Sequence, residues 1–338
     1  KNHPELLRAR ELGIPVIRRA EALAAAVEVG ETICIAGTHG KTTTTVMTTE
    51  ALTAAGRNPT GVVGGRVAAW GGNLSRGGDA LFVVEADEYD RSFLALSPTV
   101  ATITNVEADH LDIYADLDDI RGAFAQFASR ARAIVLCADD PGAASIALPS
   151  SAEVIRYGIE SRDARLVARA LRDESGGSTF TAVFDGSEQT DVRLRVPGRH
   201  NVLNALAALG SGRALGVPLA AMAPGLAAFG GVERRFQRLG QARGVEVIDD
   251  YAHHPTEIRA TLAAARAAYP GRRIVAAFQP HLFTRTRDFA GDFGGALATA
   301  DTIYLTEIYG AREQPIAGVS AALPAGQRRP VGGPVALL

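Results

Sequence analysis

Short apolar runs alternate along most of the chain with longer stretches of helical spacing, the pattern of an α/β fold built on mainly parallel sheets. "ETICIAG" (31–37) predicts a strand, and "KTTTTVMTTEALTAAG" (41–56) predicts the helix after it, stopped by Gly56 and the Asn58-Pro59 turn. "ALFVVEADE" (80–88), "TVATITN" (99–105) and "AIVLCADDP" (133–141) predict three further strands, each running into a polar or acidic stretch. From about Ser151 to Pro197 short alternating segments with Gly-rich turns predict an antiparallel excursion, and "NVLNALAALGSGRALG" (201–216) predicts a helix. After "FGGVERRFQ" (229–237) the alternation restarts: strand "VEVIDD" (245–250), helix from Pro255 to about Ala268, strand "RRIVAAFQP" (272–280), helix around Asp288 to Ala298, strand "DTIYLTEIY" (301–309). This predicts a second α/β domain with a small three-stranded sheet and a boundary near Gly230-Gly231. The last stretch, from Ala322, has no clear periodicity.

Composition narrows the class only a little. A chain of 338 residues is long enough for about two cores. Net charge is −2 with no long basic run, which gives no footing for nucleic acid or an anionic membrane. No apolar run approaches the ~20 residues of a membrane span, and "KNHPELLRAR" has no signal-peptide pattern, so a cytoplasmic protein is expected. Cys34 and Cys137 sit in apolar runs and read as reduced core residues, not as a disulfide or zinc site. The 35 basic residues include only two lysines, Lys1 and Lys41. An Arg bias accounts for their rarity, but a compact ammonium kept at Lys41 also serves a phosphate oxygen better than a planar fork.

Lys41 falls in "IAGTHGKTTTT" (35–45), where a strand runs through a Gly-containing loop and Lys-Thr into a helix. Such a loop offers N–H groups and a helix N-terminus to an anion, a Lys to neutralise it and a hydroxyl for Mg²⁺. The usual G-x-x-x-x-G-K-[ST] spacing needs Gly at position 35, which is Ile; Gly37 comes two residues later. A tight turn into a helix is the plainer alternative, but Thr is a mediocre helix former, and hydroxyls facing a phosphate would explain Thr42 and Thr43.

"VVEADEYD" places Glu85, Asp87, Glu88 and Asp90 after one strand, and "TNVEADHLD" places Asn105, Glu107, Asp109, His110 and Asp112 after another. Ligands of an open α/β sheet bind beyond the carboxyl ends of its strands, so three strand ends converge on one edge as a Mg-nucleotide site. Each acidic cluster alone would read as a solvated loop. Apart from His3, every histidine lies in such a stretch: His39, His110, His200, His253, His254 and His281. In the second domain "VIDDYAHHPTE" and "FQPHLFTRTRD" follow strands, the latter setting Arg285 and Arg287 just before a helix. A guanidinium there can take a carboxylate or phosphate in a bidentate manner, or the helix can simply carry two solvated arginines.

Taken together, "GTHGKTTT", "EADEYDRSFL", "TNVEADHLDIY", "PGRHNVLNA", "ERRFQ", "DDYAHHPTE" and "FQPHLFTRTRD" resemble the Mur ligase family in order and approximate spacing, from the first residues to about Val319. The resemblance implies a P-loop ATPase-type central domain over 29–229 and a Rossmann-like α/β C-terminal domain over 230–338. It makes 1–28 a linker following an N-terminal UDP-binding domain, which is absent here, and leaves the C-terminal domain incomplete. It implies an ATP-dependent amide-bond ligase of cytoplasmic peptidoglycan precursor synthesis. ATP and two Mg²⁺ would be required, with UDP-N-acetylmuramate and L-alanine as substrates. Gly37, Thr38, His39, Gly40, Lys41, Thr42 and Thr43 would hold the ATP phosphates, with Lys41 on the β/γ-phosphates. Thr42 and Glu85 would ligate one Mg²⁺ and His110 the second. Asn204 would read adenine, and Arg235 and Asp250 would close on the nucleotide. Tyr251, His253 and His281 would line the substrate region, and Arg285 would hold the amino-acid carboxylate.

Two departures matter. Position 282 is Leu where many members carry a basic residue, which puts more weight on Arg285. Some members bridge the metals with a carbamylated Lys, and beyond Lys41 this chain has only Lys1. A murein tripeptide ligase or another member of the superfamily, a generic P-loop kinase or NTPase, and a non-catalytic Mg-ATP-binding fragment stay open as alternatives.

Overall fold

Strand β1 (Glu31–Ala36) is buried on both faces, with Ile33 and Ile35 in one core and Cys34 and Ala36 in the other. That two-sided burial is why its sequence is a continuous apolar run rather than an alternating one. The computed structural model describes residues 3–111, 113–174, 176–326 and 335–337; Asp112 lies outside them. After β1 come β2 (Thr60–Val67), β3 (Gly72–Ser75), β4 (Leu81–Glu85), β5 (Val100–Ile103), β6 (Ala133–Cys137), β7 (Glu153–Gly158), β8 (Leu166–Glu174), β9 (Gly177–Phe184) and β10 (Glu188–Leu194). They form one 10-stranded sheet of order β10-β9-β8-β7-β6-β5-β1-β4-β2-β3. From β2 to β8 the ladder is parallel; β3 and β9 run against it at its two ends, and β10 pairs antiparallel with β9.

The α/β class expected from the alternation is therefore what the chain adopts; the stretch expected as an antiparallel excursion continues the same sheet, but β7 and β8 join it in parallel and only β9 and β10 pair antiparallel. Helices Lys41–Ala54, Arg199–Ala214 and Leu219–Ala228 cover one face, and Arg19–Val27 and Leu117–Ala128 cover the other. Residues 1–28, expected as a linker, carry the helices Pro4–Glu11 and Arg19–Val27, and Val27 enters the core. Both cysteines are buried and free. Among the described residues no helix is long and apolar enough to cross a membrane.

The second half departs from expectation in two places. "VEVIDD" does not join the C-terminal sheet. It is β12 (Val245–Asp249), paired antiparallel with β11 (Gln237–Ala242) in a separate two-stranded sheet. Positive φ at Arg243 (50°) and Gly244 (78°) closes this hairpin, the backbone a tight two-residue connection requires. The C-terminal sheet is instead β13 (Val275–Phe278), β14 (Thr302–Leu305) and β15 (Val335–Leu337), all parallel. The helix expected near Asp288 is two helices, Phe283–Asp288 and Ala290–Leu297, broken at Phe289. Arg285 and Arg287 thus lie inside the first helix, not before it. Phe293 and Leu297 pack with Ile258, Phe278 and Ile303 in this domain's core.

Candidate active site

The chain leaves β1, returns at β4 on one side, and crosses to β5 on the other. The C-terminal end of β1 is therefore a topological switch point, flanked by both acidic loops. The loop from Gly37 to Gly40 is stitched to the end of β5. Thr38 and His39 donate their N–H groups to Asn105 O (3.0 Å) and Asn105 Oδ1 (2.7 Å), and Thr104 Oγ1 donates to His39 O (2.6 Å). Gly37 has φ 139°, and a Cβ there would lie 2.0 Å from Thr104 Oγ1; Gly40 has φ 81°, and its Cβ would meet Asn204 Oδ1 at 2.6 Å. Both glycines are required by approach as well as by φ.

The threonine run has two uses. Thr42 Oγ1 donates to Glu85 Oε1 (2.9 Å) at the end of β4, and Thr43 lines the adjoining cavity. Thr45, Thr48 and Thr49 turn back to the carbonyls of Lys41, Thr44 and Thr45 (2.9, 2.7 and 2.8 Å), which satisfies buried hydroxyls within the helix.

Lys41 Nζ donates to both oxygens of Glu88 (2.7 and 3.0 Å) and to Gly37 O (2.8 Å). Burial works against its charge, but the carboxylates of Glu88 and Asp87 outweigh it and raise its pKa. Burial pushes Glu88 up to about 7, against the pull of Lys41. Tyr114 holds the Glu88 backbone through its hydroxyl (2.6 Å), and Arg91 lies over the Tyr114 ring.

His110 has φ 54°, an uncommon conformation for a non-glycine residue. Its Nε2 lies 3.8 Å from Glu88 Oε1 and 3.8 Å from Asp109 Oδ2, and burial lowers its pKa. Thr42 with Glu85 offers hard oxygen donors, and His110 stands among carboxylates. Both sets fit a hard divalent cation such as Mg²⁺.

Asn204 of the same domain, and Arg235 and Asp250 from across the boundary, line the same cavity as His39, Gly40, Thr42 and Thr43. Asn204 Oδ1 accepts from Thr44 Oγ1 (3.1 Å), and Asp250 accepts the N–H groups of Phe236 (2.8 Å) and Ala252 (2.7 Å). Arg235 Nη1 reaches Glu257 Oε1 at 3.4 Å. Tyr251, His253, His281 and Tyr309 follow one another as rings 5.1, 5.9 and 5.8 Å apart. Arg285 is buried against Asp109 (2.7 Å), whereas Arg287 is exposed and pairs with Asp288. Leu282 precedes this helix with φ 70° and donates its N–H to Tyr309 O.

Sequence reasoning placed Glu88, Glu107 and Asp109 in the acidic clusters and His254 among the histidines at strand ends without giving any of them an individual role, and it named neither Thr256 nor Glu257. His39 Nε2 lies 3.3 Å from Glu107 Oε2, and Nδ1 lies 3.4 Å from Glu257 Oε1. Thr256 Oγ1 donates to the same Glu107 oxygen (2.8 Å). Burial lowers the pKa of His39, but the two carboxylates outweigh it and raise it to about 9. Burial and that charge push His254 down to about 4. His39, Glu107 and His254 hold possible metal-donor atoms within 4.8 Å of one another, and the carboxylates of Glu107 and Glu257 flank the two ring nitrogens of His39. One signal was available for Glu257. The spacing H-P-T-E is that of a helix capping box, and Glu257 Oε2 does accept the N–H groups of His253 (2.9 Å) and His254 (3.3 Å).

Residues 35–212 match the Mur ligase middle domain and residues 234–331 the Mur ligase glutamate ligase domain. A protein of Solidesulfovibrio magneticus named UDP-N-acetylmuramate–L-alanine ligase is 48% identical over 322 residues, covering 94% of this chain and 70% of that protein. One of the same name from Acidothermus cellulolyticus is 48% identical over 326 residues, covering 94% and 68%. The crystal structure of the UDP-N-acetylmuramate-alanine ligase of Thermotoga maritima superposes with a TM-score of 0.82 at 29% identity, covering 99% of this chain and 73% of that one. A murein peptide ligase from Psychrobacter arcticus, at 22% identity and a TM-score of 0.70, shares the fold. With its two domain models matched in order and such relatives across most of its length, the chain belongs to the Mur ligase family.

Proposed function

We propose that the chain catalyses the ATP-dependent, ADP-forming addition of L-alanine to UDP-N-acetylmuramate in the cytoplasm. The observation that carries this reading is the meeting, at the end of β1, of Lys41, the Thr42–Glu85 pair, His110 and an Arg285 supplied by the other domain. A carboxylate oxygen of the sugar nucleotide attacks the γ-phosphorus of ATP, and ADP leaves. The amine of L-alanine then attacks the acyl-phosphate carbon, loses a proton, and phosphate departs with the former carboxylate oxygen. Phosphoryl transfer of this kind needs positioning and charge neutralisation more than covalent help from the protein.

Lys41 faces the β/γ-phosphates, the loop from Gly37 to Thr43 cradles them, and Asn204, Arg235 and Asp250 hold the nucleotide as the domains close. Thr42 with Glu85, and His110, would hold two Mg²⁺ ions, which supply further neutralisation of the transferring phosphoryl group when bound. Arg285 takes the carboxylate of L-alanine, and Tyr251, His253 and His281 line that side. The test is ADP release from Mg-ATP and UDP-N-acetylmuramate with L-alanine, glycine, L-serine or murein tripeptide. Release that depends on both the sugar nucleotide and L-alanine supports the reading. A tripeptide preference moves the chain to the recycling branch, acceptor-independent release makes it an NTPase, and ATP binding without turnover makes it a nucleotide-binding module.

A further inference from the structure

Asp109 and Arg285 are 176 positions apart in the chain, on different domains, yet Arg285 Nη2 donates to Asp109 Oδ1 at 2.7 Å with both side chains almost wholly buried. The same Asp109 oxygen accepts the backbone N–H of His110 (2.8 Å), so the left-handed turn at His110 fixes the carboxylate. Arg285 Nη1 meets His281 Nδ1 at 3.2 Å. A guanidinium has five N–H donors, and these contacts engage two of its nitrogens while leaving donors for a carboxylate ligand. A buried cation is stable only beside a counter-charge, and the structure supplies that charge from the opposite domain.

We propose that Asp109 is a positioning residue for the acceptor site, clasping Arg285 across the domain boundary so that the acceptor-binding cation is fixed only while the domains are closed. The inference rests on Arg285 holding the acceptor carboxylate, as read above. It ties acceptor recognition to closure, because opening the boundary separates Arg285 from the group that orients it.

The experiment compares Asp109→Asn, which keeps shape and one acceptor oxygen, with Asp109→Ala, Arg285→Ala and the double variant Asp109→Ala/Arg285→Ala. Steady-state kinetics and amide hydrogen exchange over 283–288 are the readouts, with circular dichroism confirming the folded state. D109N raises the KM for L-alanine by about tenfold or more, the scale of a lost buried charge pair, while the KM for ATP stays within about threefold. Exchange over 283–288 speeds up in D109A and R285A and no further in the double variant, because both remove one clasp. Additive exchange effects, or a D109N with unchanged KM for L-alanine beside an R285A with raised KM, overturn the clasp alone. An R285A with unchanged KM for L-alanine overturns the role of Arg285 and the proposal with it.

Discussion

His39 Nδ1 lies 3.4 Å from Glu257 Oε1, so the loop from Gly37 to Gly40 of the first domain is ion-paired directly to the first helical turn of the second. The loop side of His39 is paired as well, to Glu107. Its pKa is raised to about 9 by these carboxylates against burial, from about 6.5 in an unfolded chain. A raised histidine contributes stability that is fully present below about pH 6.5 and is lost as pH climbs through about 9. Glu50 and Glu88, pushed up to about 7 by burial, titrate below the upper half of that window. Urea unfolding between pH 7 and 9 is expected to show a loss on the order of 2 kcal/mol from His39, so that His39→Gln retains only the smaller loss from the two glutamates. An equal slope in both proteins would remove His39 from the account.

Lys41→Ala is expected to lower turnover roughly 10²–10³-fold, the scale for one preorganised electrostatic contact. Steady-state kinetics at saturating Mg-ATP measures it. A loss under about tenfold is incompatible with a place on the phosphates.

Glu85→Gln keeps the hydrogen bond from Thr42 Oγ1, now 2.9 Å to a carboxylate oxygen, but removes the charge a hard cation needs. The Mg²⁺ concentration for half-maximal rate should rise about tenfold or more, with thermal stability little changed. A Mg²⁺ titration that superposes on the wild type would assign the cation to other ligands.

Strand ends in a parallel sheet were readable because loop, strand and helix are all local. "ETICIAG", the Gly-Lys-Thr turn and the acidic clusters after β4 and β5 fall where the pattern put them. The hairpin partner β11 was not readable, since "QRLGQA" is mostly exposed and has no apolar alternation. The strand β15 pairs by register with β14, a relation that periodicity does not carry. Cross-domain partners were invisible for the same reason: Glu107 to Thr256 and Asp109 to Arg285 join positions far apart in sequence. Arg285 and Arg287 look equivalent in "FTRTRD", yet the helix sends one to a buried carboxylate and the other to solvent.

Phe93 stacks on Phe127 at 5.0 Å and meets Phe124 edge-on at 5.1 Å, beneath the loop that carries Glu88. Phe93→Ala is expected to destabilise the chain by about 3–5 kcal/mol, read from urea unfolding. A change below about 1 kcal/mol would mean that this cluster does not hold the loop.

The mechanism makes one oxygen its witness. With UDP-N-acetylmuramate labelled with ¹⁸O in its carboxylate, turnover with Mg-ATP and L-alanine should release inorganic phosphate carrying ¹⁸O from that carboxylate. Phosphate without the label would mean that water, not the substrate carboxylate, attacks the γ-phosphorus, contradicting the acyl-phosphate route.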